Sequence, residues 1–207
     1  MKGLLLKEWY MTVKYCRSYL LITFVFILVS VFSGSDPLFF LLYPMLLAGM
    51  VPVTLLSYDE RSRWNVFSGA LPYSKAQLVS AKYIATLVLL GGSAVATLAA
   101  LSIRMVRLGE VDLLELLGMT GLLLSAGLFV PALLLPIIFR FGVEKGRMAY
   151  YIVIGLVCAV VVFIGMAFLD LPQTLSLEIP AIAALSAAIC VFAVSWLLAV
   201  RLYKAHL

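Results

Sequence analysis

The sequence predicts an all-α, polytopic membrane protein with six transmembrane helices. Of its 207 residues, 65% are hydrophobic and 12% are charged, and the mean hydropathy is +1.15. A soluble domain cannot hide so much apolar surface from water, whereas a bilayer accepts it if every backbone polar group is paired. The apolar stretches are continuous runs of about 20 residues, which is the length of a membrane-spanning helix. The shorter, alternating segments of a membrane β-barrel do not fit this pattern.

Six apolar segments define the expected transmembrane domain, which covers residues 18–207. Because the number of spans is even, both termini are expected on the same side of the membrane. The predicted spans are 18–34, 38–58, 83–103, 113–139, 150–169 and 179–200.

The basic residues of the loops predict the orientation of the chain. The chain has 15 Lys and Arg residues, and all of them except Arg104 and Arg107 fall on one predicted side. Since basic loops stay in the cytoplasm, the N- and C-termini are expected to be cytoplasmic and the protein is expected in the cell (inner) membrane. The net charge of +5 therefore indicates topology. Nucleic-acid binding would require a contiguous basic face, and the sequence shows none.

Residues 1–17 precede the first span and form a separate amphipathic segment. On a helical projection, Leu5, Trp9 and Val13 share one face, while Lys7 and Lys14 lie on another. This pattern is typical of a short helix that lies in the membrane interface and contacts lipid through its apolar face. A simple positively charged anchor before the first span is the alternative.

The longest polar connection, residues 59–82, joins the second and third spans. Asp59 and Glu60 favour the N-terminus of a short helix, because the helix dipole attracts negative charge there. Ser68 and Gly69 then interrupt that helix, and Ser74 has the properties of an N-cap for the next one. The connection therefore predicts a short helix, a turn and the start of the helix that forms the third span.

These features together resemble a known family. The N-terminal run Met-Lys-Gly-Leu-Leu-Leu-Lys-Glu, the six spans, Ala-Leu-Pro at 70–72 and Val-Ser-Ala-Lys-Tyr at 79–83 carry the likeness. The chain resembles the membrane-spanning subunit of ABC-2-type ABC transporters over its whole length. More narrowly, it is similar to the small permeases of Gram-positive peptide exporters, including those that export phenol-soluble modulins. The most specific part of this resemblance is the connection from Asp59 to Lys82.

The resemblance implies a permease that has no catalytic residues and works with a separate nucleotide-binding ATPase subunit. No Gly-x-x-x-x-Gly-Lys-Ser/Thr motif occurs, so ATP and Mg²⁺ would bind to the partner. The loop after the second span would form the coupling helix, here Asp59 to Phe67, beside an N-terminal elbow helix. Alternatively, Arg61 and Arg63 only orient the loop and Trp64 only anchors it. The expected contacts with the ATPase are Asp59, Glu60, Arg61, Arg63, Trp64 and Phe67.

One six-span chain is too small to enclose a large path, so two permeases are expected to form a dimer. A homodimer is favoured, and a heterodimer with a sister permease remains open. Every acidic or basic residue is expected in or beside a loop, which favours a hydrophobic or amphipathic cargo, such as an amphipathic peptide. Gly91 and Gly92 of the third span are interpreted as a place of close helix packing.

Three other functions compete with this one. An intramembrane enzyme is disfavoured because the only histidine is His206 and because no pair of carboxylates is expected within the spans. A transporter driven by an ion gradient would usually show an internal repeat, and none is evident between residues 18–103 and 113–200. A membrane assembly subunit would share the topology but would not need the long connection.

Overall fold

A computed structural model describes residues 2–32, 37–68, 72–109, 113–146 and 178–205, together with 148–149, 151–152, 155–156 and 159. The regular structure in these ranges is helical, which confirms the all-α fold. We number the helices α1 to α7 in chain order. They are α1 (Lys2–Tyr15), α2 (Arg17–Phe32), α3 (Pro37–Arg61), α4 (Trp64–Ser68), α5 (Lys75–Leu108), α6 (Leu113–Phe141) and α7 (Glu178–Ala205).

Four of the described helices are long and apolar enough to cross a membrane. These segments correspond to the predicted second, third, fourth and sixth spans. Helices α1 and α2 meet at a bend of 71° and would form a fifth span if they are taken together. The predicted fifth span, 150–169, lies largely outside the described residues. The four segments are Phe39–Arg61, Lys75–Arg107, Leu116–Phe141 and Ala181–Tyr203.

Helices α6 and α7 pack side by side and run parallel. A Cβ atom added to Gly121 would lie 4.0 Å from the Cβ of Ala181, and the rings of Phe139 and Tyr203 are 5.5 Å apart further along. Parallel packing places Phe141 and Glu178 at opposite ends of the helix bundle.

Helix α3 is parallel to α6 and antiparallel to α5. Gly49 packs on the backbone of Gly127, so that an added Cβ would lie 3.0 Å from the Gly127 carbonyl oxygen. Small residues at such a crossing let two membrane helices approach closely. Ser93 of α5 donates a hydrogen bond to the Met45 sulfur at 3.3 Å. The end of α3 and the start of α5 therefore meet α1 at one end of the bundle, and the ends of α6 and α7 lie at that same end. We call it the α1 end.

Two arginines of α5 join it to α2 at the opposite end. The Arg104 guanidinium donates to the Ser30 carbonyl oxygen at 3.2 Å, and that of Arg107 donates to the Val31 carbonyl oxygen at 3.2 Å. These carbonyls belong to the last turn of α2, where the carbonyl oxygens have no N–H partner within the helix. Positive charge at a helix C-terminus is also favourable to the helix dipole.

The predicted coupling helix, Asp59 to Phe67, is not one continuous helix. Asp59 and Glu60 belong to α3, which continues to Arg61, and α4 begins only at Trp64. The break falls at Arg63, which has a φ of 51°. A left-handed residue cannot continue a right-handed helix, so the chain turns at this point.

The predicted cap of the next helix is confirmed. Ser74 Oγ accepts a hydrogen bond from the Gln77 amide at 3.2 Å, and Gln77 Oε1 accepts one from the Ser74 amide at 3.0 Å. This capping box starts α5 eight residues before the predicted third span. Lys82 therefore lies within the helix that Ser74 caps.

Candidate functional site at the α1 end

Four charged side chains from three helices form a buried ion-pair network at the α1 end. The Lys7 ammonium of α1 lies 2.6 Å from Asp59 Oδ1 of α3 and 3.3 Å from Glu8 Oε1. The Lys82 ammonium of α5 lies 2.8 Å from Glu8 Oε2 and also pairs with Asp59 Oδ2. We call Lys7, Glu8, Asp59 and Lys82 the ion quartet.

The ion quartet is deeply buried and electrically balanced. The side chains of Glu8, Asp59 and Lys82 are 3%, 2% and 7% exposed, and that of Lys7 is 21% exposed. Transfer of these charges out of water is costly, and the cost is offset only when each charge meets an opposite one at good geometry. Two lysines and two carboxylates meet this condition. The quartet therefore fixes the relative positions of α1, α3 and α5.

The local sequence of α1 explains why Glu8 points inward. Leu4, Glu8 and Thr12 are four residues apart and form the buried face of α1, which continues to the fully buried Cys16. The Thr12 hydroxyl donates to the Glu8 carbonyl oxygen at 2.8 Å, so it is satisfied within the helix. A single carboxylate on this otherwise uncharged face can reach only the lysines beside it.

The predicted lipid-contacting residues of α1 lie on the other side of the helix. Trp9 and Val13 are 54% and 43% exposed, and Leu5 is half-buried. This face is free for contact with a membrane surface. The elbow interpretation stays a prediction.

Glu60 joins the end of α3 to the residues that follow α6. Its Oε1 accepts a hydrogen bond from the Val143 amide at 3.0 Å, at the start of a helical turn over 143–146. Gly142 precedes this turn with a φ of 83°, and a Cβ there would lie 3.4 Å from Glu60 Oε1. A carboxylate at the first free amides of a helical turn is favourable. Glu60 is thus engaged within the chain.

Helix α4 combines one packed residue with two exposed ones. The Lys7 ammonium lies 4.1 Å from the centroid of the Trp64 ring, and the rings of Trp64 and Phe67 are 5.6 Å apart. Val66 and Phe67 are 78% and 61% exposed. The exposed side of α4 is therefore apolar and aromatic, next to the exposed Arg61 and Arg63.

The structure divides the six predicted contact residues. Asp59 is buried in the ion quartet, Glu60 contacts Val143, and Trp64 packs under Lys7, whereas Arg61, Arg63 and Phe67 have exposed side chains. The expectation that every charge lies in or beside a loop is wrong for Lys82, which is buried about two turns inside α5, where Glu8 and Asp59 neutralise its charge.

Sequence reasoning missed Lys7 and Lys82 as partners of Asp59, and it missed Glu8 as the second carboxylate of the ion quartet. One signal was present, since Glu8 is the only acidic residue among the first 17 and lies four residues from Leu4 and Thr12. Among the described residues, no group of three or more His, Cys, Asp or Glu could hold a metal ion. The quartet thus has the chemistry of a structural clamp between helices.

One comparison with known proteins identifies a family. A family model described as "ABC-2 family transporter protein" matches residues 3–204. No curated protein and no solved structure matches the chain significantly. The match covers α1 through α7, including the ion quartet and α4.

Proposed function

The chain belongs to the ABC-2 transporter family, and we propose that it is the membrane-spanning permease subunit of an ABC exporter. It is a multi-pass membrane protein. In this proposal ATP and Mg²⁺ bind to a separate nucleotide-binding ATPase subunit, and this chain takes no chemical part in hydrolysis. The permease would convert motion of the ATPase into opening and closing of a path through the membrane.

The observation that carries the proposal is the exposed side of α4. Exposed aromatic and Arg residues are frequent anchors of protein interfaces, and Phe67 and Arg63 lie on one short helix and the turn before it. Glu60 and the ion quartet hold this segment against α6, α1 and α5. A push on α4 would therefore reach several spans at once. We assign the ATPase contact to Arg63, Val66 and Phe67, and we place Asp59 and Glu60 behind it as supports.

The orientation follows from the distribution of charge. The described lysines and arginines other than Arg104 and Arg107 lie in α1, in the segments joined to it, or at the helix ends that meet at the α1 end. By the positive-inside rule this end is cytoplasmic, where an ATPase would find its nucleotide. Both termini then face the cytoplasm, in the cell membrane.

The chemistry of the spans supports a hydrophobic or amphipathic cargo. In the described ranges, the buried polar side chains between the ion quartet and Arg104 are Ser, Thr and Tyr, and no buried side-chain nitrogen or oxygen lacks a hydrogen-bond partner. These groups are already satisfied, so they offer little to a polar solute. We favour an amphipathic peptide, as in the peptide exporters that the sequence resembles.

We propose that two copies of this chain form a homodimer, with the path between them and one ATPase on each copy. In the described part of a single chain, α3 packs against α5 and α6, and α7 packs against the same two helices around a shared apolar core. A path for a peptide then requires a second chain.

The test is co-purification of the tagged chain from its native membrane in mild detergent, with mass spectrometry and an ATPase assay. We expect a Walker-motif ATPase to co-purify in an amount equimolar with the permease. The mass of the intact complex should correspond to two permeases and two ATPases. Phe67→Ala should lower the affinity of the permease for the ATPase by more than about 30-fold, which is the effect of an interface hot spot. The amount of ATPase that co-purifies should fall accordingly. Phe32→Ala is the matched control, since Phe32 is 74% exposed at the opposite end of the bundle.

A gradient-driven carrier and a membrane assembly subunit are the alternatives. Recovery of an intact complex without any nucleotide-binding partner would contradict the ABC assignment. Equal loss of the ATPase in Phe67→Ala and Phe32→Ala would instead contradict the role of α4. A mass that corresponds to one permease, or to this chain with a different permease, would contradict the homodimer.

A further inference from the structure

A cavity of about 340 Å³ opens at the α1 end, between α1 and the end of α3. Its walls include Lys7 and Tyr15 of α1, Tyr58 and Arg61 of α3, and Trp64 of α4. This volume is within the lower part of the range of small-molecule sites in proteins. The cavity lies outside the exposed side of α4 to which we assign the ATPase contact.

The walls offer more hydrogen-bond donors than acceptors. Lys7 carries three N–H donors, and its two ion pairs, with Asp59 and Glu8, leave one donor for a ligand. Within the described part of the chain, Arg61 makes no ion pair and the hydroxyls of Tyr15 and Tyr58 make no hydrogen bond. The rings of these two tyrosines stack at 4.2 Å, which holds them in place.

The negative charge in the cavity wall is already neutralised. Asp59 also lines the cavity, but its Oδ1 faces Lys7 and its Oδ2 faces Lys82. The ion quartet has no net charge, so the guanidinium of Arg61 is the charge that remains. Such a cavity favours an anion with several acceptor oxygens.

The position of the cavity indicates where that anion comes from. Arg61 is the last residue of the apolar segment Phe39–Arg61. The bend of 71° between α1 and α2 follows Tyr15, which lines the same cavity as Arg61. The cavity therefore lies where the hydrocarbon of the membrane ends and the lipid headgroups begin. Tyr and Trp side chains are enriched at this level of membrane proteins.

We propose that this cavity binds the phosphate group of an anionic phospholipid headgroup. Arg61 and the free donor of Lys7 contact the phosphate, and the hydroxyls of Tyr15 and Tyr58 donate to its remaining oxygens. Met11, which also lines the cavity, lies beside the glycerol and the start of the acyl chains. The bound lipid joins α1 to α3 on the side that the ion quartet leaves open. This inference depends on the chain spanning a membrane and not on an ATPase partner.

Trp64 provides a direct probe of the cavity. The full chain with Trp9→Phe and Trp196→Phe retains Trp64 as its single tryptophan. It is reconstituted in phosphatidylcholine vesicles that contain increasing fractions of phosphatidylglycerol with brominated acyl chains, which quench nearby tryptophan fluorescence. We expect half-maximal quenching at a mole fraction about fivefold lower than for brominated phosphatidylcholine, the effect of about one basic residue facing an anionic lipid.

Two arginines of the same turn make a matched pair of variants. Arg61→Gln should abolish the fivefold preference, because Arg61 lines the cavity. Arg63→Gln removes the same charge two residues away, outside the cavity, and should leave the preference within twofold. Neither substitution breaks the ion quartet, so both proteins should fold.

Three results would overturn the proposal. Equal quenching by the two brominated lipids would mean that the cavity selects no anion. Equal effects of Arg61→Gln and Arg63→Gln would mean that general surface charge causes the preference. A change in Trp64 fluorescence on addition of glycerol phosphate in uncharged detergent, at the same affinity as the lipid, would assign the cavity to a soluble phosphate.

Discussion

Lys82 of α5 and Glu8 of α1 are 74 positions apart in the sequence, and their charged groups lie 2.8 Å apart in the structure. Each of these two residues also faces a second partner of opposite sign in the ion quartet, where Lys82 pairs with Asp59 and Glu8 with Lys7. The contact brings α1 onto the start of α5, the longest of the described helices. It makes the position of α1 dependent on charges that lie far apart in the sequence.

Loss of Lys82 should destabilise the folded protein strongly. In Lys82→Met, Glu8 and Asp59 remain buried with a single lysine, and removal of one partner from a buried ion pair costs about 3–5 kcal/mol. The melting temperature of the purified protein in detergent should fall well below that of wild type. Lys145→Met is the control, since Lys145 is exposed at the same end. Equal melting temperatures for the two variants would contradict the clamp.

Glu60 should protect the turn after α6 from solvent exchange. Glu60→Ala removes the acceptor of the Val143 amide, and a hydrogen bond of this kind contributes about 1 kcal/mol. Amide hydrogen exchange of Val143 should therefore accelerate about fivefold. Glu60→Gln retains an oxygen acceptor and should restore most of the protection. Unchanged exchange in Glu60→Ala would mean that the bond contributes nothing.

The crossing of α3 and α6 should tolerate no larger residue at Gly49. In Gly49→Val the side chain would meet the Gly127 carbonyl oxygen, Pro131 and Val130, which an added Cβ already approaches within 3.0–3.2 Å. Overpacking of this kind typically costs about 1–3 kcal/mol. The same change at Gly92 adds atoms where nothing lies within 4 Å, and it should leave the melting temperature near that of wild type. A similar loss in both variants would contradict the packing.

The parallel packing of α6 and α7 predicts the membrane topology between them. Lys145→Cys and Glu178→Cys, each in a cysteine-free background, should react with a membrane-impermeant maleimide from opposite sides of the membrane. Lys145 follows the end of α6, and Glu178 begins α7. This result would support the six-span count. Labelling of both positions from one side would contradict the parallel arrangement.

The elements that the sequence predicted depend on local patterns. Apolar runs of sufficient length marked α3, α5, α6 and α7, and Ser74 marked the cap of α5, because cap and helix are neighbours in the chain. Gly91 and Gly92 were interpreted as a packing site, but no described residue lies within 4 Å of a Cβ atom added at either position. Gly is frequent in membrane helices, so its presence alone does not mark a helix contact.

The features that the sequence did not predict depend on distant or unusual contacts. The ion quartet joins residues on three helices, and periodicity reports which face of a helix is buried without reporting what that face meets. The break at Arg63 was missed because a left-handed turn is usually marked by Gly or Asn, and this one is formed by an arginine. The predicted coupling helix, Asp59 to Phe67, therefore includes residues that form a turn between α3 and α4.

Helix α5 has 34 residues in one uninterrupted run, and at 1.5 Å per residue it is about 51 Å long. It exceeds the thickness of the hydrocarbon core, about 30 Å, and so reaches both surfaces of the membrane. Near its first turns it is fastened to α1 and α3 through Lys82, and near its last turns to α2 through Arg104 and Arg107. A helix fastened at both ends behaves as a strut. A displacement of α1 at one surface of the membrane that left these contacts intact would therefore also move the last turn of α2 at the other surface.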